Sequence, residues 1–154
     1  MIEVDNDILE FKLHGNGVSP KTFRSKEVAL LLVSLEDAIK AYIIENISED
    51  EDFEESDLFI SPVSIRNESM TLGYIPNVKK YIIPAFSAIA FAINSNDLTS
   101  LPQRSIENLK EIQKITRQKN CQADFKLNGT TIAQIDAETQ ISIPDSYKIK
   151  GDTI

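Results

Sequence analysis

Between Tyr81 and Ile93 the chain runs for thirteen residues with only one frankly polar side chain, that of Ser87. A helix that crosses a bilayer needs about 20 predominantly apolar residues, so this stretch is too short to span a membrane. Its alanines permit close packing, and we expect a central helix that is buried on most sides. A helix of this kind needs other elements around it, which indicates a globular domain with a real core.

The segments before this helix divide into strand and helix patterns according to the spacing of their apolar residues. The first strand is the clearest, because Leu9, Phe11 and Leu13 alternate with polar residues. Ser25 then predicts the N-cap of a first helix, which runs to about Asn46. Its length and apolar spacing favour a helix that packs on the sheet.

Two further strands are predicted before the central helix. They cover Leu58 to Ile65 and the alternating residues from Met70 onward. Pro62 places the first of them at an edge or a bulge of the sheet, because proline cannot donate to a strand ladder. Asn77 predicts the cap of the central helix.

The second half of the chain predicts one more helix and a hairpin. Pro102 opens the helix, which ends near Asn120. Asn128-Gly129 lies between two strand patterns and favours the type I′ turn, whose twist matches paired strands. Ile141 and Ile143 predict one further short strand.

The resulting order is β-α-β-β-α-α-β-β, with that further short strand at the end. This order predicts an α+β fold with three helices on one face of a mostly antiparallel sheet. We expect one domain over residues 1–144, and a tail or the start of another strand over residues 145–154. Because the sequence stops on an apolar residue within a strand-like pattern, we expect a fragment of a longer protein or a tail that pairs with something.

The negative charge of the chain is concentrated in one place, the acidic segment of residues 45–57. It holds eight acidic residues and no Lys or Arg, and without it 16 acids remain against 16 bases. Binding to nucleic-acid phosphates needs a basic face, so we expect no specific nucleic-acid binding. The segment is typical of a solvated loop, and the alternative is a docking loop for a basic partner. The residues that would bind this partner are Glu49, Asp50, Glu51, Asp52, Phe53, Glu54 and Glu55.

Two helices carry further candidate contacts. The first helix is apolar on a second side, and the residues of this possible oligomer face are Leu30, Val33, Ala41 and Ile44. A helix with two apolar sides is packed on both or meets another chain. The third helix carries a basic patch of Lys110, Lys114 and Arg117. The patch is typical of solvated surface, and the alternative is a contact with the acidic segment of the same or a second copy.

Catalytic and metal-binding motifs are missing from the sequence. His14 and Cys121 are the only histidine and the only cysteine, so a Cys–His pair depends on a geometry that the sequence does not give. They are too few for a closed zinc site. The calcium-loop pattern fails as well, because Glu55 and Ser61 occupy the positions of its glycine and final acid. The glycines form no phosphate-binding loop, and we expect neither a cofactor nor a metal.

These exclusions favour one class of function over others. A lone cysteine forms no internal disulfide, and the amino terminus lacks the pattern of a signal peptide, so we expect a cytoplasmic protein without membrane association. The favoured hypothesis is a non-catalytic protein-interaction or regulatory module of a bacterial or phage system. It could be an assembly subunit that self-associates, an inhibitor or an immunity-type protein. The alternatives are a carboxylate-dependent enzyme without a recognisable motif and the scaffold half of a larger protein.

Overall fold

A computed structural model describes residues 8–15, 24–46, 55–66 and 70–144. These residues form three α-helices and a five-stranded antiparallel sheet, in the order that the sequence predicts. The helices are α1 (Ser25–Asn46), α2 (Lys79–Asn94) and α3 (Gln103–Lys119). The strands are β1 (Leu9–His14), β2 (Ile60–Arg66), β3 (Met70–Pro76), β4 (Gln122–Leu127) and β5 (Thr130–Ile135). The fold is therefore α+β.

The first strand lies at the centre of the sheet, whose order is β2-β3-β1-β4-β5. β3 pairs with one side of β1, where Leu9 lies opposite Tyr74, and β4 pairs with the other, where Phe11 lies opposite Phe125. These four residues are buried beneath the helices. Phe86 of α2 stacks on Phe125, with ring centroids 5.7 Å apart, so the core joins both halves of the chain.

The apolar stretch forms α2, and the prediction of a central helix is confirmed along one face. The buried residues of this face are Ile82, Ala85, Phe86, Ile89, Ala90, Ala92 and Ile93. The prediction that the helix is buried on most sides is wrong for its outer face, where Phe91 is 73% exposed and Pro84 is also exposed. Among the described residues, no helix combines the length and apolar character needed to cross a membrane.

The helices α1 and α3 pack against each other in opposite directions. Lys119, at the end of α3, contacts Glu27, at the start of α1, with Nζ and Oε1 3.0 Å apart. Near the other end of α3, the buried Ser105 hydroxyl donates to the carbonyl of Ala38 at 2.7 Å. The acidic segment therefore begins at the end of α1 that lies farthest from Lys119.

The start of α1 differs from the predicted cap. Ser25 is the first helical residue, and Arg24 occupies the flanking position. Glu27 reaches back to Arg24, whose N–H donates to Oε1 at 2.8 Å. In a capping box, an acid in the first turn accepts a bond from the backbone N–H of the residue that flanks the helix, and Glu27 makes this bond.

The predicted cap of α2 is wrong. Val78 precedes the helix without a side-chain cap bond. Asn77 instead joins two connections, because its Oδ1 accepts the N–H of Phe59 at 2.8 Å and its Nδ2 donates to the carbonyl of Asp57. The amide satisfies backbone groups ahead of β2 that the ladder does not reach.

The edge position of β2 and the second hairpin agree with the sequence. β2 lies at one edge, and its pairing with β3 shifts register between Pro62 and Ser64. The turn between these strands, residues 67–69, lies outside the described residues. In the turn between β4 and β5, Asn128 and Gly129 have φ angles of 51° and 87°. These positive angles are what a type I′ turn requires.

The predicted strand at Ile141 and Ile143 is wrong, because neither residue belongs to a ladder. Ile141 is buried in the core, and Ile143 packs against it. Gln113 of α3 fixes the preceding turn by donating from Nε2 to the carbonyls of Asp136 and Thr139, at 2.9 Å and 2.7 Å. The segment therefore packs on α3, and it does not join the sheet as predicted. Residues 145–154, the predicted tail, lie outside the described part of the chain.

Candidate functional site

The outer side of α1 carries the largest group of exposed aliphatic side chains on the helices. Leu30, Val33 and Ile44 are 39%, 53% and 43% exposed. Leu30 and Val33 are neighbours on one side of the helix, and Ile44 lies on the same side three turns further along, with Asp37 and Lys40 between it and Val33. Ala41 was predicted to belong to the same face, but it is only 5% exposed and contributes little surface.

Both described ends of the acidic segment lie beside α1. The segment leaves the helix at Glu45 and Asn46, which are exposed, and it returns through a turn of 3₁₀ helix at Glu55–Asp57. The chain then reaches β2, where the N–H of Ile60 donates to Oε2 of Glu36 on α1 at 3.1 Å. Glu49 to Glu54, most of the predicted partner-binding loop, lie outside the described residues.

A further exposed apolar side chain lies on the chain just before β2. Phe59 is 46% exposed and precedes Ile60, which is bonded to Glu36. Glu36 lies one turn from Val33 along α1, so the chain segment that holds Phe59 passes close to this part of the helix. We call Leu30, Val33, Ile44 and Phe59 together the α1 surface.

The basic patch lines a groove on the other side of α3. Its cavity is about 850 Å³ and lies between Lys110, Lys114, Arg117 and the segment of residues 137–142. Two of the three cations already have partners within the chain. Lys114 Nζ lies 3.3 Å from Oε2 of Glu111, and Arg117 donates to the carbonyl of Ala137 at 3.2 Å.

The structure does not bring the described ends of the acidic segment to this patch. Arg117 lies near the end of α3 that contacts Glu27, whereas the acidic segment starts at Glu45, near the other end of α1. Glu27 and Asn46 are roughly 28 Å apart at a rise of 1.5 Å per helical residue. An interaction of the patch with the acidic segment therefore stays a prediction.

His14 takes part in a polar network at the end of the sheet. Its Nε2 lies 3.0 Å from Oδ2 of Asp124, which is nearly buried. The other carboxylate oxygen, Oδ1, accepts from the amides of Gln122 and Gln134 at 3.3 Å and 3.0 Å. Asp124 thus has donors at both oxygens, and the network joins β1, β4 and β5.

Cys121 lines the same shallow cleft of about 330 Å³ as His14, but the two residues belong to opposite faces of the sheet. Successive side chains of a strand point to opposite faces of the sheet. Cys121 lies two residues before the buried Ala123 and therefore belongs to the same face as Ala123. His14 belongs to the other face, where it contacts Asp124. Burial raises the pKa of the thiol to about 11, against a smaller opposing effect of Lys119. A nucleophilic cysteine needs a lowered pKa, so this arrangement does not form a Cys–His pair.

The face of the sheet opposite the helices carries charges in complementary register. Glu10 of β1 lies opposite Lys126 of β4, and Lys12 lies opposite Asp124. Opposite charges at directly paired positions favour the pairing of strands. This pattern specifies the register between β1 and β4, which is a structural role.

Metal-binding groups and relatives give no further guide to function. Within residues 8–15, 24–46, 55–66 and 70–144, no three His, Cys, Asp or Glu side chains are grouped so that they could hold a metal ion. No protein-family model, curated protein or solved structure matches the chain. What this α+β domain does must therefore be inferred from its own surfaces.

Two exposed aromatic residues were missed by the sequence analysis. Phe59 was assigned to a strand, and Phe91 to a helix predicted to be buried on most sides. A helical projection would have identified Phe91, because Pro84 and Asn94 share its side of α2 and are poor candidates for burial. No comparable signal distinguishes Phe59, which lies between the buried Leu58 and Ile60.

Proposed function

We propose that this domain is a non-catalytic protein-interaction module and that the α1 surface receives its partner. The observation that carries the proposal is the row of Leu30, Val33 and Ile44, which are exposed on a helix whose opposite side is already packed in the core. Apolar patches that are exposed together usually mark a contact with another molecule.

The chemistry of the partner is proposed from the surroundings of this row. The acidic segment leaves α1 one residue after Ile44 and returns next to Phe59. A partner that covers the α1 surface would therefore lie near the exposed acids at the described ends of this segment, Glu45 and Asp57. We propose a protein whose contact surface is apolar at its centre and rich in Lys and Arg at its rim, since interfaces combine an apolar core with a polar rim.

The apolar residues of α1 and the acidic segment have different roles in this proposal. Burial of Leu30, Val33 and Ile44 would supply most of the affinity, at about 25 cal/mol for each Å² of apolar surface removed from water. The acidic segment would mainly raise the association rate, because exposed charges steer the encounter of two proteins more than they hold the complex. A regulatory protein, an inhibitor or an assembly subunit would use such a surface.

The experiment is affinity capture from the native host, followed by identification of the bound proteins. Four forms are compared: the wild type, Val33→Asp, a form with the acids from Glu49 to Glu55 changed to Gln or Asn, and Ser100→Asp. Ser100 is exposed in the turn between α2 and α3, so it controls for the added charge. We expect one basic protein that the wild type and Ser100→Asp retain, and that the other two forms lose. Equal capture by all four forms would refute the α1 surface as the docking site.

A further inference from the structure

The two edges of the sheet differ in their protection against pairing with another strand. β2 contains Pro62 and a register shift beside it, and both features hinder the addition of a strand. β5 has the sequence Thr-Thr-Ile-Ala-Gln-Ile, without proline or charge. Its one irregularity is a register shift in the pairing with β4, near Ile132. β2 thus carries two such obstacles, a proline and a register shift, and β5 carries only the register shift, so β5 is the less protected edge.

Backbone groups of β5 face outward from the sheet. In an antiparallel pair, alternate residues direct their N–H and C=O away from the neighbouring strand. The carbonyl of Ile132 points away from β4 and already accepts a bond from Nδ2 of Asn94, so a second strand would pair with the outward groups of other residues of β5. The side chains of Thr130, Thr131 and Gln134 are exposed along the same strand. In the part of the chain that the structure describes, no other strand pairs with this edge.

A large exposed aromatic residue flanks this edge. Phe91 is 73% exposed, the most of any large apolar side chain among the described residues. It lies one turn before Asn94 on α2, on the same side of the helix, and Asn94 touches Ile132 of β5. Aromatic residues are enriched in the buried centres of protein interfaces.

We infer that two copies of this chain associate through β5, which pairs antiparallel with β5 of the second copy about a two-fold axis. The two sheets then continue into each other, and the helices of both copies lie on the same face. This places the two α2 helices side by side, so that Phe91 of one copy packs against Phe91 of the other. The junction combines main-chain hydrogen bonds with one aromatic contact.

The charges of the chain favour a second copy at β5 over a second copy at α1. Pairing of identical strands sets like residues against each other, and like charges directly opposite are unfavourable; β5 has none. The acidic segment returns to the sheet at β2, the edge opposite β5. Four strand spacings, or about 19 Å, separate these edges in each copy. Two copies joined through α1 would instead bring both acidic segments together.

This inference does not depend on the partner proposed for the α1 surface. The two surfaces lie on different elements, and a dimer joined through β5 leaves Leu30, Val33 and Ile44 exposed. Each dimer would present two α1 surfaces to its partners.

The test is the mass of the purified chain by light scattering, from about 1 to about 100 µM, a range in which weak complexes dissociate. Variants Phe91→Asp and Thr131→Lys place a charge at the junction, and Val33→Asp places one on the α1 surface as the matched control. Thr131 is exposed in β5, so its replacement leaves the pairing with β4 in place. Circular dichroism checks that each variant is folded.

We expect the wild type and Val33→Asp to approach twice the chain mass of 17.3 kDa at the upper concentrations. The dimers of Phe91→Asp and Thr131→Lys should have dissociation constants at least about tenfold higher than that of the wild-type dimer, because charge at the centre of an interface is costly to bury. A wild type that stays at 17.3 kDa throughout would overturn the inference. So would a dimer that Val33→Asp disrupts and Phe91→Asp does not. No partner protein is present, so the masses of Phe91→Asp and Thr131→Lys test this inference alone, and the capture experiment tests the partner proposed for the α1 surface.

Discussion

Phe11 of β1 and Phe125 of β4 lie directly opposite each other in the sheet, and their rings meet edge to face with centroids 5.2 Å apart. Edge-to-face contacts at this distance are favourable beyond the area they bury. Phe86 also stacks on Phe125. Phe125 thus joins the central strand, the C-terminal hairpin and the central helix.

Replacement of Phe125 by alanine should therefore destabilise the fold strongly. We expect the free energy of unfolding to fall by about 3–5 kcal/mol, the usual cost of removing a buried phenylalanine. Chemical denaturation measures the change. The matched control is Phe91→Ala, at the same residue type on the exposed side of α2, which should change the stability of the monomer by less than about 1 kcal/mol. Equal losses for the two variants would show that Phe91 is a core residue.

Glu27 should contribute stability that depends on pH. The Arg24 N–H, and then Lys119, hold the pKa of this carboxyl below its ordinary value. Since the folded pKa is the lower one, the contribution is complete above the unfolded pKa and is lost as the pH falls through the folded pKa.

We expect Glu27→Ala to cost about 1 kcal/mol near neutral pH, which is typical of a lost helix cap. The difference from the wild type should shrink in acid, as measured by denaturation at several pH values. Glu107→Ala, at an exposed acid on α3, should show a smaller difference at neutral pH. A cost for Glu27→Ala that is independent of pH would contradict the role of the charge.

Tyr74 buries a hydroxyl that has no hydrogen-bond partner within the described chain. Burial alone raises its pKa, so the group is always protonated and uncharged. Because an unsatisfied buried hydroxyl is unfavourable, Tyr74→Phe should leave the free energy of unfolding unchanged or raise it by up to about 1 kcal/mol. Tyr42→Phe, at a half-buried tyrosine, serves as the control. A loss of more than about 1 kcal/mol for Tyr74→Phe would show that the hydroxyl is bonded in solution, for example to water.

Cys121 should be unreactive in the folded protein. Its thiol is buried and has a pKa raised to about 11, and only the thiolate reacts readily. We expect negligible modification by iodoacetamide at neutral pH, and fast modification after unfolding in urea. Mass spectrometry of both samples measures this. Rapid labelling of the native protein would contradict the burial of the thiol.

Local sequence signals predicted most of the fold, because they act at short range. The alternation of Leu9, Phe11 and Leu13 specified the first strand, and Asn128-Gly129 specified the tightest hairpin. Pro62 correctly indicated an edge strand. Pro62 and Asn128-Gly129 limit the backbone directly, whatever surrounds them, whereas the alternation predicts a strand because one of its faces is buried.

Structural features that depend on residues distant in the sequence were predicted less well. Asn77 resembles a helix cap, but its amide bonds to residues that precede β2, about 20 positions earlier in the chain. Ile141 and Ile143 have the spacing of a strand, yet no neighbouring strand pairs with them and they pack near α3. Neither outcome can be decided without the tertiary structure.

The candidate surface was predicted in part for the same reason. The sequence showed that α1 has apolar residues on two sides, which gave Leu30, Val33 and Ile44. It did not show that Ala41 is covered or that Phe59 is exposed. These depend on how closely α1 approaches its neighbours.

The most direct test of the proposed function is a kinetic titration of the purified partner identified by capture. Binding to the wild type, to Val33→Asp and to the form neutralised from Glu49 to Glu55 is followed at low and high salt. We expect Val33→Asp to raise the dissociation rate, and the neutralised form to lower the association rate and its dependence on salt. Rates that are the same for all three forms at both salt concentrations would contradict the claim that the α1 surface and the acidic segment bind the partner.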